Sequence, residues 1–142
     1  MFDYKKILFP VDLSDLSVKI YPHVKSIADK LQAEVQMMFV AKVNEYFVED
    51  EEEGASVKEK IKAYKDKNFK DVHDSQIVAT GGDPADEILS YIESEDIDLV
   101  IMATRGRTAL DKALFGSVAG KVARIAPVPV LLVNPYKDKL VA

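Results

Sequence analysis

The residue types that could do chemistry are concentrated in residues 102–120, MATRGRTALDKALFGSVAG, which follow directly on the apolar run DLVI. Three glycines, two threonines, two arginines and a lysine at the end of an apolar run suit an anion. Glycine lets a ligand approach the backbone, and the planar arginine fork matches phosphate oxygens. If a helix starts at Gly116-Ser117, its first amides are unpaired and lie at the positive end of the helix dipole, with the Ser117 hydroxyl beside them. The plainer alternative is a turn glycine, a helix-entry glycine and a capping serine around solvated arginines. A second candidate is Asp12, alone after the run ILFPV, an ionised acceptor suited to ligand hydroxyls or, failing that, to capping the next helix.

Known phosphate loops do not fit this stretch. No G-x-G-x-x-G follows the first strand. GSVAGKV at residues 116–122 is one residue short of a G-x-x-x-x-G-K-[ST] loop and has valine where the magnesium-binding hydroxyl belongs. A phosphoryl-accepting receiver pattern would need adjacent acids after the first strand and a lysine after the fifth, whereas Asp12 stands alone and Asn134-Pro135 replaces the lysine. His23 and His73 have no pairing that suggests a metal and read as surface residues. The acids 49–53 read as a solvated loop.

The chain has 142 residues, with 48% apolar and 30% charged side chains, which fits one soluble globular domain spanning 1–142. No cysteine is present, which excludes disulfides and thiolate metal sites. No apolar run reaches membrane-spanning length, and the start of the chain lacks a secretory pattern, so a cytoplasmic protein is expected. The net charge of −5 argues against a nucleic-acid binder. From Ala103 onward seven basic residues face two acids, a net of +5, so the residues before carry −10. All three arginines (Arg105, Arg107, Arg124) fall in this basic part.

Short apolar runs alternate with amphipathic ones. Strands are expected at KKILFPV, AEVQMMFVA, SQIVAT, IDLVIMAT and VPVLLVNP. The first helix carries Leu16, Ile20, Val24, Ile27 and Leu31 at helical spacing, with Ser14 placed to cap it and Pro22 tolerated as a mild kink. A second helix is SVKEKIKAYKDKNFKD, and a third starts with Asp83 as cap and Pro84 in its first turn. The last is GSVAGKVARIA, with Val118, Val122 and Ile125 on one face. Strand–helix alternation with strands this apolar implies a doubly wound α/β domain with a parallel sheet. Ligands of such sheets bind beyond the carboxyl ends of the strands. Attention therefore falls on Asp12, the Val40 region, the Thr80-Gly81-Gly82 turn and the stretch from Ala103 to Ser117.

The pattern RG, nine residues, GS, at Gly106, Gly116 and Ser117, resembles the nucleotide loop of the universal stress protein family, G-x-x-G, nine residues, G-[ST]. ILFPVDLS, with Asp12 and Ser14, resembles the family's opening strand, and APVPVLLV its closing one, so the likeness covers the whole chain. It implies an open five-stranded parallel sheet in the order 3-2-1-4-5 with helices on both faces, a Rossmann-like fold of the adenine nucleotide alpha-hydrolase type.

The resemblance to the ATP-binding subgroup also implies a site for ATP or AMP, with any Mg2+ held mainly by the phosphates. Asp12 would take the ribose hydroxyls, Pro10 and Val40 would border the adenine, Val40 through its backbone, and Met102 and Ala103 would also contact the nucleotide. Gly106, Gly116, Ser117 and Val118 would wrap the phosphates with main-chain amides. Ala103 stands where the family pattern has its first glycine. A need for positive φ there would cost of order 1 kcal/mol, whereas simple continuation of the fourth strand would cost nothing.

The fifth strand, Val128 to Val133, would lie at a sheet edge. The resemblance favours its pairing in a homodimer, with coverage by the tail YKDKLVA as the alternative. Three function classes follow: a nucleotide-binding stress-response protein, a slow ATP hydrolase lacking P-loop lysine and evident base, and a nucleotide-free dimeric interaction module.

Overall fold

A computed structural model of the protein describes residues 2–41, 57–104 and 116–136. Across these run β1 (Lys6–Val11), α1 (Asp15–Leu31), β2 (Glu34–Ala41), α2 (Val57–Asn68), β3 (Ile77–Gly81), α3 (Pro84–Ser94), β4 (Leu99–Ala103), α4 (Ser117–Ile125) and β5 (Val130–Val133). Every strand pair is parallel, and the order across the sheet is β3-β2-β1-β4-β5. The chain therefore winds outward in one direction from β1 to β3 and in the other from β4 to β5.

The apolar sequence of β1 follows from its place in the middle. Ile7, Leu8 and Phe9 are each 0% exposed, so both faces of the strand are covered. Alternation sorts them into two cores. Ile7, Phe9 and Val11 pack with Ile20, Val24 and Ala28 of α1 and Ile61 of α2. Leu8 packs with Met38, Val100 and Met102 and with Ile88, Ile92, Ala119 and Val122 of α3 and α4. Burying each large side chain of this kind is worth about 1.5–3 kcal/mol, so helices are held to both faces chiefly by these layers. Phe9, Tyr21, Phe69 and Tyr64 add edge and stacked ring contacts on the first face, with centroids 4.9 Å apart for Tyr21 and Phe69.

Several local expectations need correction. Helix α1 buries Ser17, Ile20, Val24 and Ala28, while Leu16, Ile27 and Leu31 flank that face half-buried. Ser14 occupies the N-cap position, yet its hydroxyl makes no cap hydrogen bond. Pro22 sits within α1 on its exposed side, and the helix ends at Gln32 in a left-handed conformation whose amide bonds the Ala28 and Asp29 carbonyls. Ser75 and Gln76 belong to a 3-10 turn, Asp74–Gln76, because Gln76 accepts from the His73 amide and donates to the Val35 carbonyl.

In α4 the buried arc is Ala119 and Val122, completed by Ala126, which leaves Ile125 55% exposed on the flank. Strand β5 begins at Val130 rather than Val128. Pro129 has no amide to extend the ladder, though its carbonyl accepts from Val100 at 3.0 Å. Asp83 caps α3 as expected, accepting from the Asp86 amide at 3.0 Å. Among the described residues, no helix is long and apolar enough to cross a membrane.

Candidate functional site

The strand order reverses between β1 and β4, and there the ladder is short. Ile7 pairs with Leu99 and Leu8 with Val100, after which the two strands run on without registered partners. Between β1 and β2 the register continues to Val11 and Phe39. The sheet thus parts at the carboxyl ends of β1 and β4, the place where doubly wound sheets bind ligands. Carrying the register forward sets Pro10 level with Met102 and Asp12 level with Thr104.

Strand alternation decides which side chains share this opening. Pro10 follows Leu8, Val40 follows Met38, and Met102 and Thr104 follow Val100, all on the α3–α4 side of the sheet. Val40 and Val118 pack against that core, and Met102 is buried in it. Ala103 falls on the opposite side, packed against the α1–α2 core. It pairs with Val133 as the last residue of β4 and is not among the described residues with positive φ, which are Gln32, Asp96 and Gly82. Of the two alternatives for this position, strand continuation is the one observed.

Asp12 is held from its own chain. Its amide donates to the Ser17 hydroxyl at 3.3 Å, and its Oδ1 accepts from Ser17 Oγ at 3.4 Å and from the hydroxyl of Ser14. Ser17 is buried, so its hydroxyl is fixed by packing. The Tyr64 hydroxyl of α2 donates to the Ser14 carbonyl at 2.5 Å. Burial raises the Tyr64 phenol well above its ordinary value, and the negative charge of Asp12 adds to that. Sequence reasoning gave Asp12 a partner role but missed Ser17 and Tyr64 behind it. The available signal was the D-x-S-x-x-S spacing, two hydroxyls within five residues of the carboxylate.

On the other side, the Thr104 carbonyl accepts from the Gly116 amide at 2.8 Å, while the Thr104 amide donates to Val133 at 3.0 Å. Gly116 is the N-cap of α4, extended at φ −66 and ψ 157, and has no side chain with which to cap. Ser117 is the first helical residue rather than the cap, and its side chain is exposed. The amides of Ser117, Val118 and Ala119 consequently open α4 without intrahelical acceptors, at its positive end. Gly116 contributes an open backbone, since its own amide is already taken by Thr104. The Thr104 hydroxyl is buried and has no hydrogen-bond partner among the described residues.

Other expected positions fall elsewhere. The Thr80-Gly81-Gly82 turn ends the outer strand β3, away from the opening. Thr80 donates to Glu87 at 3.2 Å, and Gly82, at φ +145, lies against the same side chain. His23 and His73 are exposed, and among the described residues no group of three metal-ligating side chains converges. Gly106, Arg105, Arg107 and the acids 49–53 lie outside the described residues.

Universal stress protein MJ0531 of Methanocaldococcus jannaschii is 33% identical over 148 residues, covering 96% of this chain and 85% of that protein. Universal stress protein MJ0577 of the same organism is 32% identical over 158 residues, covering 92% and 95%. The solved structure of MJ0577 superposes with a TM-score of 0.69 at 28% identity, over 94% of this chain and 97% of that one. A universal stress protein solved in complex with cAMP shares the fold, with a TM-score of 0.63 at 21% identity over 94% and 99%. The sequence model of the universal stress protein family matches residues 3–134, and with relatives of this identity and coverage the chain belongs to that family.

Proposed function

We propose that the protein binds an adenine nucleotide, ATP or AMP, where β1 and β4 part, and serves in the stress response as a nucleotide-bound dimer rather than by turnover. The observation that supports this reading is the reversal of strand order between β1 and β4, with the anchored carboxylate of Asp12 following one strand and the open N-terminus of α4 following the other. Asp12, with Oδ1 fixed by Ser14 and Ser17, suits the paired hydroxyls of a ribose. The amides of Ser117 and Val118, with the Ser117 hydroxyl, suit phosphate oxygens. Pro10 and Val40, backed by the buried Met102, supply the apolar side against which a purine ring can lie. Gly106 completes the loop as the family pattern implies.

The methyl group of Ala103 is turned toward the other core, so the missing family glycine is no obstacle. Any Mg2+ would be held mainly by the phosphates. The relative solved with cAMP supports the ligand class, since cAMP is itself an adenine nucleotide. Strand β5, at the sheet edge with Leu131 40% exposed, is where a second copy would pair, and the cytoplasm is the expected compartment.

Heat-denatured protein, clarified and chromatographed, should release an adenine nucleotide, and calorimetric titration with ATP and Mg2+ should show one site per chain. Clean supernatant together with no heat of binding for ATP or AMP would overturn the reading and leave a nucleotide-free interaction module.

A further inference from the structure

Among the described residues three buried side chains are polar, Ser17, Lys65 and Thr104. Two have evident partners: Ser17 bonds Asp12, and Lys65 reaches Asp66 and Asp74 at 3.2 and 3.0 Å. Thr104 Oγ1, on a residue 5% exposed, has none among the described residues. A buried hydroxyl left unpaired is costly, and a valine of the same shape would remove that cost directly after a strand made of LVIMA. The position of the group matters as much as its isolation. Thr104 follows Met102 on the α3–α4 side, falls level with Asp12 when the β1–β4 register is carried forward, and holds Gly116, the N-cap of α4, through its own carbonyl. Thr104 thus joins the strand end level with Asp12 to the helix that opens with the amides of Ser117 and Val118.

We propose that the Thr104 hydroxyl is a ligand contact, donating to the phosphate oxygen nearest the ribose; the assignment rests on the nucleotide reading above and adds a residue to it. A hydroxyl donating to a charged oxygen is stronger than a neutral pair, and it would discriminate nucleotides from nucleosides. ATP and AMP share that first phosphate and adenosine lacks it, so the contact tells the classes apart without preferring ATP over AMP.

The test compares Thr104→Val and Thr104→Ser with wild-type protein by calorimetric titration with ATP, AMP and adenosine, alongside melting of the ligand-free protein. The Val variant should lose about 10- to 100-fold in affinity for ATP and AMP alike and little for adenosine, and its ligand-free melting temperature should not fall. The Ser variant should stay within about threefold of wild type for all three ligands. A Val variant that binds ATP as wild type does would overturn the contact, as would equal losses for adenosine and AMP. So would a Val variant that melts earlier without losing affinity, since the hydroxyl would then have an internal partner. Wild-type protein that binds no adenine nucleotide would instead remove the nucleotide reading itself, and the contact with it.

Discussion

The Gly116 amide donates to the Thr104 carbonyl at 2.8 Å, so the start of α4 is pinned to the end of β4 by one hydrogen bond. Position 116 is extended, at φ −66, a conformation any residue adopts. Replacing Gly116 with leucine should therefore leave the far-ultraviolet circular dichroism intact while placing a side chain over the open amides. Calorimetry should show ATP affinity reduced about tenfold or more. Affinity equal to wild type would remove this helix end from the site.

Asp12→Ala takes away the carboxylate but leaves Ser14 and Ser17 on the chain. Hydrogen bonds to a charged acceptor are worth about 1.5–3 kcal/mol, so ATP should bind roughly 10- to 100-fold more weakly. An analogue substituted at both ribose hydroxyls should lose much less, because it cannot use Asp12 in the first place. Equal losses for both ligands would place Asp12 away from the ribose.

Restoring the family glycine should not help. Ala103 continues β4, pairs with Val133 and packs its methyl group on the α1–α2 core. Ala103→Gly is expected to lower stability by about 0.5–1 kcal/mol in urea unfolding and to leave ATP affinity unchanged. A gain in affinity would show that the residue meets the ligand after all.

Acid sensitivity should trace in part to one lysine. Lys65 lies 3.0 Å from Asp74, and its hydrogen bond and charge hold that carboxyl below the ordinary range. A carboxyl depressed in the folded state stabilises above its unfolded pKa and loses that contribution as pH falls through the folded value. The urea midpoint should therefore drop on acidification below the usual carboxylate range, and Lys65→Met should flatten that part of the curve. An acid limb identical in both proteins would contradict the pairing. The lysine itself is raised by the same bond, so its share disappears only at strongly alkaline pH.

The edge strand makes a prediction about assembly. β5 exposes Leu131 beside half-buried Val130, Leu132 and Val133. Sedimentation should find a dimer for the wild-type chain and a monomer for Leu131→Glu, whose charge opposes pairing along that edge. A wild-type monomer at micromolar concentration would refute it.

Much of the architecture was legible because β1 and β4 are covered on both faces and must be apolar throughout, while α1 and α3 carry apolar stripes at helical spacing and α3 a capping aspartate. Strand order was not legible from periodicity, since nothing in a strand's composition says which neighbour it takes, and the family resemblance supplied it. Helix faces were read too broadly. Ile125 fits the spacing of Val118 but lies off the arc that Ala119 and Val122 turn to the sheet, and small alanines carry little signal. At the site, Asp12 and Gly116 stood out as types, whereas Ser17 and Thr104 matter through burial, a property their names do not reveal. Ser14 looked like a cap because caps are what serines before helices usually are, and its hydroxyl instead found a nearer acceptor in Asp12.

Thr104 is held at both ends of its backbone, by Val133 on the edge strand and by Gly116 at the head of α4. A residue clamped this way leaves no slack between rim and mouth. Movement of the outermost strand reaches the N-cap of the helix through two hydrogen bonds and the backbone of a single residue.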